Sequence, residues 1–335
     1  MNADRYGSIR EAVEAVRGVW PVELLPSKIT RFDDRDGRRG NRACWGYLTP
    51  DEQIAVTGNW RDSGLRAHYV KGGDARKLSR AEQRALDAKI QEARRKAEEQ
   101  REAEWLKAAA IAAEIVRSSR SAVGLGHPYL SRKRVRPVAP LGVLGADAVR
   151  SIYEQATGER ASWLWSYKRS APMSGPLLVV PCYLGGFTDR LSSVELIDAA
   201  GSKVCLRGGR MSGAFWTPVG LGAAVQAGKR IGIAEGIATA LSLTQVKGLP
   251  CVAARSCVNL EATAIALRNR FPRAELVVCG DRGNGEEAAT VAAEKVRALI
   301  AVPFFSKQLL EQFKRITDGN EPTDFNDYYL ATGDL

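Results

Sequence analysis

From residue 229 onward, apolar runs and helical runs alternate, and this alternation constrains the chain more than any other feature. KRIGIA, LPCVAAR and ELVVCGD each read as a short buried strand. EGIATALSLTQVKG, LEATAIALRNRF and EEAATVAAEKVRALI each read as a helix, with AVPFF following the last. Strands covered on both faces carry continuous apolar runs, so residues 229–335 are predicted to form an α/β unit: a parallel sheet flanked by helices. Two acidic residues stand at the carboxyl ends of these strands, Glu235 after IGIA and Asp281 after LVVCG. Ligands of open parallel sheets gather at that edge. Either acid alone reads better as a helix-start residue favoured by the dipole. A pair on one edge repels itself unless a cation lies between, which points to Mg²⁺ (or Mn²⁺) held by one or two carboxylates, water and phosphate oxygens.

The upstream sequence divides by pattern. Residues 1–73 read as a small mixed module containing β-strands, with a helix over 8–20 and a polar loop over 33–41. Residues 74–120 hold a long charged helix without Gly or Pro over 79–117, opened by a Ser79/Glu82 capping box and laced by i,i+4 pairs such as Glu92–Lys96, Arg94–Glu98 and Arg95–Glu99. Residues 121–228 read as an antiparallel subdomain, in which SSVELID and KVCLRGG pair across the turn at Ala200-Gly201. Charge follows these divisions. Of a formal +11, residues 121–230 carry 14 basic against 6 acidic side chains, whereas 231–335 carry 11 against 13. A basic middle before a slightly acidic end suggests a polyanion beside a cation site; solubility charge is the alternative reading.

Other classes are disfavoured by what is missing. The six cysteines are scattered and form no CxxC, which argues against zinc and disulfide frameworks and for buried cytoplasmic thiols. Only two histidines are present, so a His-based triad or His-rich metal site is not expected. No apolar run is long enough to span a bilayer and no signal-like apolar segment opens the sequence, so a cytoplasmic protein without membrane contact is expected.

The motifs IAEGIATALSL, VVCGDRGNG and PTDFNDYYLATG resemble the Toprim domain, specifically that of primases of conjugative plasmids and phages. VELIDAAGSKVCLRGGR resembles the segment that precedes Toprim in bacterial primases, and HPYLSRKRV and GNWRDSG resemble N-terminal parts of the same proteins. The resemblance implies an antiparallel primase-core subdomain ahead of a Toprim sheet. It also implies primer synthesis from NTPs on a single-stranded DNA template, with Mg²⁺ or Mn²⁺ and no zinc. Glu235 matches the Toprim glutamate and Asp281 the first aspartate of Asp-x-Asp, while Asp324 and Asp327 match a later acidic pair that approaches metal and nucleotide. Arg207 and Arg210 match the basic edge that holds template or nucleotide phosphate, and Lys203, Arg282 and Asn284 are further candidate nucleic-acid- or nucleotide-binding residues.

The second aspartate of Asp-x-Asp falls at Gly283, and Thr239 stands where bacterial primases often carry a further acid. If Asp324, Asp327 or Glu286 at the helix start compensates, the protein is an active primase, and Gly283→Asp is expected to preserve or raise its activity. If not, it is a single-stranded-DNA-binding replication accessory factor. A Toprim nuclease or topoisomerase is disfavoured, because neither a Walker motif nor a strand-passage domain is present. With no GxxxxGK[ST], unwinding falls to a partner such as a replicative helicase.

Overall fold

The computed structural model describes residues 5–6, 24–34, 42–59, 65–70, 80–317 and 319–335. The expected helix over 8–20, the Ser79/Glu82 capping box and most of the 33–41 loop lie outside the described residues. The chain forms two compact units, residues 1–104 and 105–335.

The first unit is built on a five-stranded sheet. In order across it run β1 (Arg5–Tyr6), β5 (Leu65–Val70), β4 (Ile54–Asn59), β3 (Cys44–Leu48) and β2 (Ile29–Phe32). Helix α1 (Arg80–Ser118) is 39 residues long. Its first half packs Ile90, Ala93 and Ala97 on Trp45, Tyr47, Ile54 and Val56. Glu92 pairs with Arg95 and Lys96, and Arg95 with Glu99; Glu98 takes Arg101 instead of the expected Arg94. Such exposed pairs contribute little each, so the alanine-rich seam, not the charge lacing, seats this helix.

The second unit contains two sheets. In the first, β6 (Arg120–Ser121), β7 (Gly142–Gly145), β8 (Pro176–Leu184), β9 (Leu191–Ile197) and β10 (Lys203–Cys205) form an antiparallel run in the order β10-β9-β8-β7-β6. The short β11 (Ala214–Phe215) pairs with β8, and helices α2 (Pro128–Arg132) and α3 (Ala146–Thr157) belong to the same stretch of chain. Alternation along the strands gives this sheet two apolar faces. Leu177, Val179, Val194 and Leu196 meet Ala108, Ile111, Ala112 and Ile115 of α1. Leu178, Val180 and Ile197 face the other way.

The second sheet comprises β12 (Ile231–Ala234), β13 (Cys251–Ala253), β14 (Leu276–Cys279) and β15 (Leu299–Ala301), all parallel, in the order β13-β12-β14-β15. Helices α4 (Ile237–Val246), α5 (Leu260–Arg270) and α6 (Asn284–Val296) connect them. Ile231 and Ile233 point to α5 and α6, while Ala234 points to α4. This is the expected parallel sheet flanked by helices, in a mixed α/β chain. One hydrophobic core joins Leu178, Val180 and Ile197 to Ile237, Ala240 and Leu241, so residues 121–228 and 229–335 pack as one body. Helices α7 (Lys307–Ile316) and α8 (Phe325–Thr332) complete the chain. Among the described residues no helix is long and apolar enough to cross a membrane.

Candidate active site

The chain leaves β12 toward β13 on one side, returns past it to β14, and continues outward to β15. The connections from the adjacent strands β12 and β14 therefore run in opposite directions, which opens a crevice at their carboxyl ends. Ala234 and Cys279 are in register across the pair, so Glu235 and Asp281 emerge together at that crevice.

The first turn of α6 holds the two acids close. A Cβ on the buried Gly285 would lie 3.0 Å from Asp281 Cβ and 3.3 Å from Glu235 Oε2. Any side chain there would fill the space that the two carboxylates share. Asp281 Oδ1 is buried with no hydrogen-bond partner. Burial, reinforced by Asp324 and Glu235 and opposed by Lys203, pushes the Asp281 carboxyl up to about 8. Burial also raises Glu235, against the Cys257 backbone N–H and Lys203, which favour its charged form.

The segment after α7 is tied to this edge by the Arg282 N–H, which donates to the Thr323 carbonyl at 2.8 Å. Asp324 caps α8, accepting from the Asp327 N–H at 2.8 Å, and its carboxyl is raised by burial and by Asp327. Asp327 is differently placed. One of its oxygens accepts from Lys133 Nζ at 3.1 Å and the other from the Thr323 N–H at 3.1 Å. Burial works against the charge on Lys133, but Asp324 and Asp327 outweigh it and raise the ammonium.

Lys203 reaches the acids from β10. Its Nζ lies 3.5 Å from where a Cβ on Gly236 would stand and 5.8 Å from the Tyr129 ring centroid. Arg207 pairs with Glu159 at 3.6 Å, Arg210 lies 4.8 Å over Trp105, and Arg282 is exposed over Phe305. The side chain of Asn284 lies outside the described residues. The structure thus gathers Glu235, Asp281, Asp324 and Lys203 at one edge and commits Asp327 to holding α8. It gives Arg207 and Arg210 other neighbours. Sequence inspection missed Lys133 and Tyr129. The basic run in HPYLSRKRV was the one signal available for Lys133.

Among the described residues no three His, Cys, Asp or Glu side chains are gathered as a metal-holding group. What the edge offers is a two-carboxylate platform with one orphaned buried oxygen. That donor set fits a hard divalent cation whose other positions are filled by water and phosphate oxygens.

Residues 230–334 match the family described as Toprim domain. DNA primase TraC of Escherichia coli is 33% identical over 124 residues, which is 34% of this chain and 8% of that protein. The chain therefore spans less than a tenth of that relative's length. The Aquifex aeolicus primase, comprising zinc-binding and RNA polymerase domains, is similar over 96% of this chain and 81% of its own, at 15% identity and a TM-score of 0.42. The primase domains of gp4, bound to an RNA/DNA hybrid with the bacteriophage T7 lagging-strand polymerase, belong to a structure that is similar over 44% of this chain and 79% of the matched one. Identity there is 16% and the TM-score 0.31. Residues 230–334 are a Toprim domain, as the sequence resemblance implied.

Proposed function

We propose that the protein is a primase-like nucleotidyltransferase that makes short RNA primers on single-stranded DNA in plasmid or phage replication or transfer. The observation that carries this reading is the crevice pair: Glu235 and Asp281 lean on one glycine, and Asp281 Oδ1 is buried without a partner. Glu235 and Asp281 would hold the divalent cation, which when bound neutralises charge on the phosphate oxygens, and Asp324 adds negative charge beside them. The overall reaction is attack of a primer 3′-hydroxyl on the α-phosphate of an incoming NTP, with pyrophosphate leaving. Glu235, raised by burial, is suited to accept the hydroxyl proton. Lys203 stands beside it as a fixed cation for the nucleotide's phosphates. The basic excess of residues 121–230 supports the reading of a DNA-facing surface.

The test is primer synthesis with labelled NTPs on generic single-stranded DNA. Wild type should yield short RNA with Mg²⁺ or Mn²⁺, and Glu235→Gln or Asp281→Asn should abolish it. A second reading, a binding-only replication accessory factor, is favoured by Gly283 and by the lack of a three-acid group among the described residues. Wild-type protein that binds DNA but makes no primer with either ion would establish it.

A further inference from the structure

A third strand end, that of β13, also reaches the crevice edge, and it carries Arg255. The Arg255 N–H donates to the Glu235 carbonyl at 2.6 Å. Its φ is +75°, a left-handed backbone that non-glycine residues adopt at a cost, and such costs concentrate at functional positions. The side chain, partly accessible, runs to the inner face of the antiparallel sheet. Glu195 and Cys205 are paired across β9 and β10, as are Ile197 and Lys203, and this register puts Glu195, Lys203 and Cys205 on that one face.

The guanidinium is poorly satisfied there. Nη1 donates to Cys205 Sγ at 3.4 Å and to Met211 Sδ at 3.5 Å, the Cys182 thiol is a third sulfur partner of the guanidinium, and Nε is buried with no partner. Sulfur is a weak acceptor, whereas guanidinium presents five donors suited to carboxylate or phosphate oxygens. Burial pushes the Cys182 thiol up to about 12 and raises Cys205 as well, so neither supplies a counter-charge. Glu195, 4% exposed, is an electrostatic neighbour but forms no ion pair with Arg255.

We infer that Arg255 is a phosphate-binding residue that takes, with Lys203, the polyphosphate tail of the incoming nucleotide. The inference rests on the nucleotidyltransferase reading above for the identity of the ligand. Two departures act in one direction: Gly283 stands in place of a carboxylate, and Arg255 adds a cation at the next strand end. Both make the edge less negative, so protein cations meet more of the triphosphate's charge.

The test compares the full-length wild type with Arg255→Gly, because glycine adopts the left-handed backbone freely and the variant loses only the guanidinium. Affinity for ATP and for tripolyphosphate is measured by equilibrium binding with Mg²⁺, alongside adenosine, single-stranded DNA and thermal melting. Loss of charge-assisted hydrogen bonds should weaken ATP and tripolyphosphate by roughly 10- to 100-fold. Adenosine and DNA binding should be unchanged and Tm not lowered, and in primer synthesis KM for NTP should rise more than kcat falls. Arg255→Lys, if Arg255→Gly fails to fold, should show a smaller loss in the same direction. Unchanged tripolyphosphate affinity in a folded variant overturns the inference, as does wild type that binds neither probe. Arg255-dependent tripolyphosphate binding by a wild type that makes no primer keeps Arg255 and removes the primase. Primer synthesis with an unaltered KM in Arg255→Gly does the reverse.

Discussion

Gly283 has φ of 84° and ψ of −131°, a region essentially reserved for glycine. A Cβ there meets nothing within 4 Å, so the obstacle to an aspartate is backbone strain and not space. This backbone weighs against the sequence-based expectation that Gly283→Asp preserves or raises activity. The variant should lose about 1–3 kcal/mol of stability and gain no primer synthesis; a more active variant with an unchanged melting temperature would refute this. Asp281 gives a pH prediction whose sign is set by its raised carboxyl. Its ordinary value is 3.8 and its folded value about 8. The stabilisation is present in full below about pH 4 and is lost as pH rises through about 8. In EDTA, Tm should fall across that window; Mg²⁺ should offset the fall, since cation binding displaces the proton. Asp281→Asn should flatten the EDTA profile, and equal pH slopes for variant and wild type would sink the assignment.

At the scale of the element, α8 is clipped into place from three sides. Buried Asn326 donates to the Lys133 carbonyl at 2.7 Å and to Ser242 Oγ at 2.9 Å, Asp327 takes Lys133, and Asp324 caps the helix. These bonds fix where the Asp324 carboxyl stands relative to Asp281. Asn326→Ala leaves polar groups without partners and should cost about 1–3 kcal/mol in urea unfolding. Asp324 and Asp327, a matched pair in sequence, should separate in function. Asp324→Asn is expected to reduce primer synthesis severalfold with a modest loss of stability. Asp327→Asn should lower the urea midpoint first, with activity following the folded fraction. If both variants lose activity equally at unchanged midpoints, Asp327 belongs with the cation ligands after all.

For the molecule as a whole, Lys203 acts on the charges of Glu235 and Asp281 and Lys133 on those of Asp324 and Asp327, while Arg132 and Lys168 flank the turn at Gly201 that leads into Lys203. A Cβ on Gly201 would lie 3.4 Å from an Arg132 guanidinium nitrogen and 3.5 Å from Lys168 Nζ. If the protein binds single-stranded DNA as proposed, Arg132 and Lys168 are expected to meet its phosphates more than Arg207, whose guanidinium is held by Glu159. Arg132→Ala combined with Lys168→Ala should weaken single-stranded DNA binding and lower the salt slope by about 0.7 for each phosphate no longer neutralised. The Arg207→Ala, Arg210→Ala pair should do less. Anisotropy titrations over a NaCl series decide, and the opposite ranking would return the DNA path to Arg207 and Arg210.

Much of this architecture is legible in the amino-acid sequence. Continuous apolar runs alternating with helical ones specify a parallel sheet with covered faces, and acids directly after two strands specify the edge where ligands meet. Pairing of SSVELID with KVCLRGG follows from a short turn between β-patterned runs, because short-range pairing needs only local signals. Strand order does not follow, since local periodicity is the same whichever neighbour a strand takes. Only the tertiary arrangement puts β12 beside β14 and so makes Glu235 and Asp281 a pair. It also separates Asp324 from Asp327, three residues apart in sequence, by bringing Lys133 from 194 positions away. The chemistry of a buried carboxylate or guanidinium is set by what folding packs against it. For Asp281, Asp327 and Arg255 those neighbours come from distant segments, so composition and spacing mark the residues but do not assign their charge states or roles.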